Sequence, residues 1–195
     1  MSRILFFVYT FLFSFALSGQ EQFSIGLGAE YSENFSIRNY SGTIQVEVPL
    51  GDRFGMNYKL GIGGSTDRVF YLHSPVGAAF GTILLKSLGG NNSSAVNTIG
   101  VLLIAIPEGI TFYPNPDADI RVGIYVAPLG CDYWYKNSNY EYFRFSGEVG
   151  GKVKFPLGKD DRIDLQLQGG LRYLYRNKVI EPFFIHAGAG LSFNF

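Results

Sequence analysis

The stretch PFFIHAGAGLSFNF, residues 182–195, closes the sequence. From Phe183 onward every second residue is apolar: Phe183, Ile185, Ala187, Ala189, Leu191, Phe193 and Phe195. Between them stand Phe184, His186, Gly188, Gly190, Ser192 and Asn194. Successive side chains of a strand point to opposite faces, so this period of two predicts one long strand with a continuous apolar face, running up to the last residue.

The alternation continues upstream. Phe23, Ile25, Leu27, Ala29 and Tyr31 share a face, as do Ile44, Val46, Val48 and Leu50, then Phe54, Met56, Tyr58, Leu60 and Ile62. Residues 143–157 and 163–175 repeat the pattern. The opposite face carries Glu30, Gln45, Glu47, Asn57, Lys59, Arg121, Arg144, Glu148, Lys152, Lys154, Asp164, Gln166, Gln168, Arg172 and His186. A soluble sandwich would bury the apolar set and wet the charged one. A membrane barrel would do the reverse. Periodicity does not separate the two.

Three other features favour the barrel. VPLGDRF, YPNPDADIRV and FPLGKDDRI are connections of one kind: a proline closing a strand, a turn containing Asp, and an Arg as the next strand begins. They are expected at one end of the molecule. NFSIRNYS and YKNSNYE are polar and tyrosine-rich, and are expected as longer loops at the other end. Several strands exceed the length that crosses a bilayer and carry aromatics near their ends.

Composition agrees. The chain is 47% hydrophobic and 16% charged, against about a quarter charged in soluble domains. Lys+Arg and Asp+Glu are both 16, so no basic face for nucleic acid is implied. A single cysteine, Cys131, rules out an internal disulfide and any multi-cysteine metal site. No metal set and no cofactor motif is read from the spacing. Arg3 precedes the apolar run 4–17, and Ala16 and Ser18 are small residues at −3 and −1 of a cut after Ser18. Residues 1–18 are expected to be an export signal and 19–195 the barrel domain.

The terminal GAGLSFNF, alternating and ending in Phe195, resembles the C-terminal assembly signal of bacterial outer-membrane barrels. The chain as a whole is similar to the small outer-membrane β-barrel families of Bacteroidetes-type bacteria. That resemblance implies residence in the outer membrane, with membrane lipid and the barrel-assembly machinery as partners, and brings no known activity. The expected fold is all-β: an eight-stranded antiparallel up-and-down membrane β-barrel with a short apolar helical insertion at about 74–106.

Residues 65–107 do not alternate. HSPVGAAFGTILLKSLGG predicts a helix with Ser74 as N-cap, Pro75 in the first turn and Gly89 as C-cap. A second helix from Ser93 or Ser94 to Ile106 competes with a buried strand over IGVLLIAI. If residues 54–64 rise and 109–114 descend, the whole insertion belongs to one connection at the loop end. VFYLH, 69–73, would count as a ninth strand if it crossed.

The polar face offers Glu30, Glu47, Lys59, Arg121, Arg144, Glu148, Lys152, Asp164, Arg172 and His186 as a lumen network or a site for an extracellular ligand. With Lys154, the inward charges are expected as six cations against four anions. Buried charges must be paired, so a salt-bridged plug is the leading expectation, ahead of a cationic pore. His186 could act as a general base with Glu30 or Asp164 behind it, but no Gly-x-Ser-x-Gly elbow exists and no catalytic constellation is expected. Trp134 and the tyrosines around it fit an outer recognition surface or an interfacial belt equally well. Three functions follow: a structural, adhesive or ligand-binding barrel, an outer-membrane lipid-modifying enzyme, and a soluble lipocalin-like binder.

Overall fold

The structure, a computed structural model, describes residues 23–81, 99–100, 103–137, 140–158, 162–175 and 182–195. The expected export signal, the Gly89 cap and the Ser93/Ser94 helix start lie outside the described residues. Nine strand segments follow in chain order: β1 Ser24–Glu33, β2 Arg38–Pro49, β3 Phe54–Ser65, β4 Val69–Pro75, β5 Gly109–Phe112, β6 Arg121–Asn137, β7 Tyr140–Pro156, β8 Ile163–Leu174 and β9 Phe183–Asn194. All pairings are antiparallel, and β9 pairs with β1 from Ser24↔Asn194 to Glu33↔Ile185, which closes the sheet. Beyond the ladder, Phe23 and Phe195 exchange both backbone hydrogen bonds and stack at 5.1 Å between centroids.

The nine segments fill eight positions in the wall. β4 pairs with Gly61–Ser65 of β3, while β5 pairs with Phe54–Asn57 of the same strand. Both run in the same direction and both continue onto β6, β4 at Gly130–Tyr135 and β5 at Ile124–Val126. They are the two halves of one strand. The fold is therefore a closed eight-stranded antiparallel barrel whose fourth strand is interrupted halfway, between Pro75 and Gly109.

This corrects the expected placement of the insertion. VFYLH is a wall strand, and the inserted segment leaves the wall at mid-height instead of at the loop end. The parity argument counted whole crossings and had no place for half of one. Ser74 and Pro75 are the last residues of β4, not a cap and first turn; helix begins at residue 76. Further helical residues appear at 99–100 and 103–104.

The apolar set faces outward. Ile185 is 65% exposed, whereas Lys152 is 4% and Asp164 0% exposed. Leu27, Ile44, Ile62, Val122, Ile124, Val126, Val149 and Leu171 are likewise exposed, and the charged face is enclosed. Aromatic pairs sit toward both ends of this outer surface: Tyr31–Tyr40 and Tyr173–Phe183 at one, Phe54–Phe112 and Phe23–Phe195 at the other.

The three proline-containing connections do lie at one end, with both barrel termini. Two share a backbone solution: Leu50 N donates to Phe54 O at 2.6 Å and Leu157 N to Ile163 O at 2.7 Å. In each the next residue, Gly51 or Gly158, has positive φ, which a Cβ would strain. The opposite end differs from expectation. NFSIRNYS contributes only residues 34–37 as a turn, closed by Asn34 Oδ1 accepting from the Ser36 and Ile37 amides. YKNSNYE is mostly strand, since β6 runs to Asn137 and β7 resumes at Tyr140. Polar composition signalled exposure there; strand pairing absorbed the residues all the same.

Candidate functional site

Among the described residues, the lumen is where the fold gathers chemistry-bearing side chains. Inward positions of all the wall strands converge there, and three layers result.

The outermost layer is apolar. Val69, Tyr71, Trp134, Leu174 and Phe184 form a buried cluster, with Ile37 and Tyr142 packed on it. Trp134, expected on an outer surface, points inward at 1% exposure and donates its indole N–H to Asn39 Oδ1 at 3.0 Å. Asn39 in turn donates to Ser32 Oγ. Tyr133 and Tyr135, its neighbours, face outward and stack on each other. The expectation for this stretch divides by strand parity, one residue in and the next out.

The middle layer is ionic. Lys59 Nζ bridges Glu30 Oε2 at 3.0 Å and Glu148 Oε2 at 2.7 Å. Arg172 reaches Glu30 and Glu148 at 2.5 Å each and Asp132 at 3.1 Å, and donates to Tyr71 Oη. His73 Nδ1 lies 3.1 Å from Asp132 Oδ1, and His73 Nε2 lies 2.8 Å from Glu108 Oε1. His186 Nε2 meets the Tyr125 hydroxyl at 2.8 Å. That contact crosses Gly150 and Gly170, which pair with each other, with Tyr125 and with His186. A Cβ on Gly150 would fall 2.8 Å from the Tyr125 hydroxyl, so glycine there opens the path.

The layer nearest the turns is ionic as well. Glu47 takes Lys152 at 2.8 Å, Lys154 at 2.9 Å and the Tyr113 hydroxyl at 2.9 Å. Asp164 takes Arg121 at 2.5 Å and Asn194 at 3.0 Å. Gln168 donates to Glu30 Oε2 at 3.2 Å, and Gln166 donates to Gln45 Oε1 at 2.8 Å.

Nine of the ten expected lumen residues are thus brought together: Glu30, Glu47, Lys59, Arg121, Glu148, Lys152, Asp164, Arg172 and His186. Arg144 is not. It shares their parity, but its guanidinium donates to Phe143 O and sits over the Tyr142 ring at 5.8 Å. Phe195 lies at the turn end against Phe23.

Sequence reasoning missed Asp132, Glu108 and His73. Asp132 alternates with Gly130 and Trp134, and that parity was the available signal. His73 and Glu108 were hidden by the interruption, which puts them 35 residues apart in sequence and 2.8 Å apart in space. Glu108 is the hinge of the break: its amide donates to Asn57 O at 2.8 Å and its carbonyl accepts from Leu129 N at 3.1 Å. β6 answers with a register shift between Ala127 and Gly130.

The described residues of the inserted segment lie against the outside of the wall. Phe80 packs on the outward Phe145 at 6.1 Å, and Tyr58, on the outer face of β3, donates its hydroxyl to Ala105 O at 2.8 Å. Ser74 and Cys131 are outward by parity yet buried beneath it. Gly77 and Gly81 face Leu103 O and Gly100 O so closely that any Cβ would collide. The small-xxx-small spacing lets the two helical pieces touch. Ile99 and Ile106 are exposed, and Phe80, although against Phe145, keeps part of its ring exposed. Among the described residues, no helix is long and apolar enough to cross a membrane.

A closed eight-stranded barrel with greasy exterior and ion-paired interior is the architecture of the small outer-membrane barrels. Among solved structures, the chain is similar to a major outer membrane protein from Thermus thermophilus, at 10% identity over 89% of this chain and 99% of that one, with a TM-score of 0.51. It is similar also to Neisserial surface protein A, at 10% identity over 89% and 96%, with a TM-score of 0.50. At these identities the likeness is one of fold. No protein-family model matches the sequence, and no curated protein does.

Proposed function

We propose that this chain is an integral bacterial outer-membrane β-barrel, non-enzymatic and non-conducting, with a structural or adhesive role carried by its outer surfaces. The observation that carries the reading is the orientation of the wall. Exposed Ile185, Val122 and Ile124 need an apolar solvent, while Lys59, Glu148 and Arg172 are enclosed and paired. Strands β1, β8 and β9, of 10 to 12 residues, suit a bilayer crossing, and the outer aromatic pairs near both ends suit its interfaces. The surface and outer-membrane naming of the two similar structures points the same way.

The interior argues for a scaffold. The apolar cluster around Trp134 lies toward one end and cross-linked ion pairs occupy the layers below it, which supports a closed lumen. The β6–β7 hairpin, paired with β4 as far as Tyr135, has its tip at the end opposite the proline-containing turns, and that end is the presented surface in this reading. An apolar exterior is also the reverse of what a lipocalin-like binder needs. A lipid-modifying role for His186 finds little support, since the ring is enclosed at 1% exposure against Tyr125.

The test is detergent extraction from outer-membrane fractions, migration on gels with and without boiling, and planar-bilayer recording. Expected are detergent-dependent solubility, a heat-modifiable band and no unitary conductance. Partition into the aqueous phase overturns the membrane reading, and stable single-channel steps overturn the closed lumen.

A further inference from the structure

The three acid and imidazole groups at the strand break do not balance. Four carboxylates share the middle layer, Glu30, Glu108, Asp132 and Glu148, against two permanent cations, Lys59 and Arg172. All six are buried. Lys59 and Arg172 are spent on Glu30, Glu148 and one oxygen of Asp132. Asp132 Oδ2 is buried with no hydrogen-bond partner, and among the described residues the printed ion-pair partner of Glu108 is His73 alone.

The imidazole is held in a telling way. In the neutral tautomer that donates from Nδ1 to Asp132 Oδ1, the other nitrogen, Nε2, carries a lone pair. That lone pair faces Glu108 Oε1 at 2.8 Å and Glu148 Oε1 at 3.9 Å. At such range a positive charge lies between nitrogen and carboxylate, either a second ring proton or a metal ion that both atoms hold. A carboxylate fixing the far nitrogen of a ligating histidine is the usual outer shell of a metal site. Ligand atoms of His73, Glu108 and Glu148 lie within 4.8 Å of one another. The two His73 distances bracket the roughly 3.3 Å that tetrahedral ligands at about 2.0–2.2 Å from zinc would show.

We propose that the lumen binds one divalent first-row transition-metal ion, of the Zn2+ class, through His73 Nε2, Glu108 and Glu148, with Asp132 as the orienting outer-shell group. With the His73 ring neutral, a dication closes the deficit of two charges. One nitrogen with two carboxylates suits zinc, manganese or iron, not copper(I) or a thiolate-bound ion. The site also explains why Glu108 stands where the fourth strand resumes: the ion ties β5 to β4 and β7 across the break, where the ladder itself is missing. This inference rests on the barrel interior and not on where the barrel resides.

The experiment is folding of the full chain into detergent micelles with EDTA, exchange into excess Zn2+, removal of free ion and measurement of bound metal by mass spectrometry. Gel heat-modifiability confirms that each sample is a barrel. About one Zn2+ per chain is expected, with the unfolding temperature raised by Zn2+ and lowered again by EDTA. Glu108→Gln and His73→Gln should lose the ion, and Asp132→Asn should weaken it by about 10–100-fold. A folded wild-type barrel that retains no Zn2+, or retains as much in Glu108→Gln as in wild type, overturns the site. If a variant does not fold, the wild-type metal content and its thermal shift decide alone.

Discussion

Arg172 holds the middle of the molecule. It touches Glu30, Asp132, Glu148 and Tyr71, which come from four strands, at 1% exposure. Removing one partner of a buried pair leaves uncompensated charge, at a cost of about 3–5 kcal/mol. Arg172→Met should therefore lower the denaturant midpoint of the barrel in detergent steeply. Arg144→Met, at a position outside the ion pairs, should shift stability by no more than about 0.5 kcal/mol. Equal effects at the two positions would show that the interior network does not carry the stability assigned to it. Both arginines occupy the same strand face, so their roles were indistinguishable in sequence. What separates them is height: Arg172 lies level with Glu148, while Arg144 pairs in register with Asp132 near the outer end and turns to its own neighbours.

The interrupted fourth strand is the element that gives this barrel its character. Its second half lies in the stretch expected to descend, residues 109–114, while VFYLH falls in a stretch without alternation and counts as a ninth strand only if it crosses. The helix expected over HSPVGAAFGTILLKSLGG does form from residue 76, but its Ser74 and Pro75 start signals belong to the strand. The assembly of the two halves was not legible, because a strand broken in the middle and a strand followed by a loop look alike until a partner strand shows where pairing resumes. β3 supplies that record, taking β4 at Gly61–Ser65 and β5 at Phe54–Asn57. The described residues of the inserted segment touch the wall at Phe145 and Tyr58 and keep an exposed side at Phe80, Ile99 and Ile106. In a bilayer that exposed side meets acyl chains. A Phe80→Trp, Trp134→Phe double variant should show fluorescence strongly quenched by brominated lipid, whereas native Trp134, enclosed in the lumen, should be spared. No quenching at position 80 would place the segment away from lipid. Gly81→Leu should separate the helical pieces, speeding amide exchange at residues 76–81 while protection in β1, β8 and β9 stays unchanged.

Across the whole molecule, alternation along the chain settled a great deal in advance. It marked two faces and pointed to most of the charged or imidazole groups that meet in the lumen, though not to His73, Glu108 or Asp132, and the repeated PLG turns marked one end. A period of two is local, and a residue's neighbours two positions away suffice to reveal it. Orientation relative to the barrel axis, the sharing of one wall position by β4 and β5, and the meeting of His73 with Glu108 were decided only when the sheet closed. Those facts depend on which residues stand opposite one another across strands far apart in sequence. Hydrogen-bond register carries that information, and no local pattern encodes it.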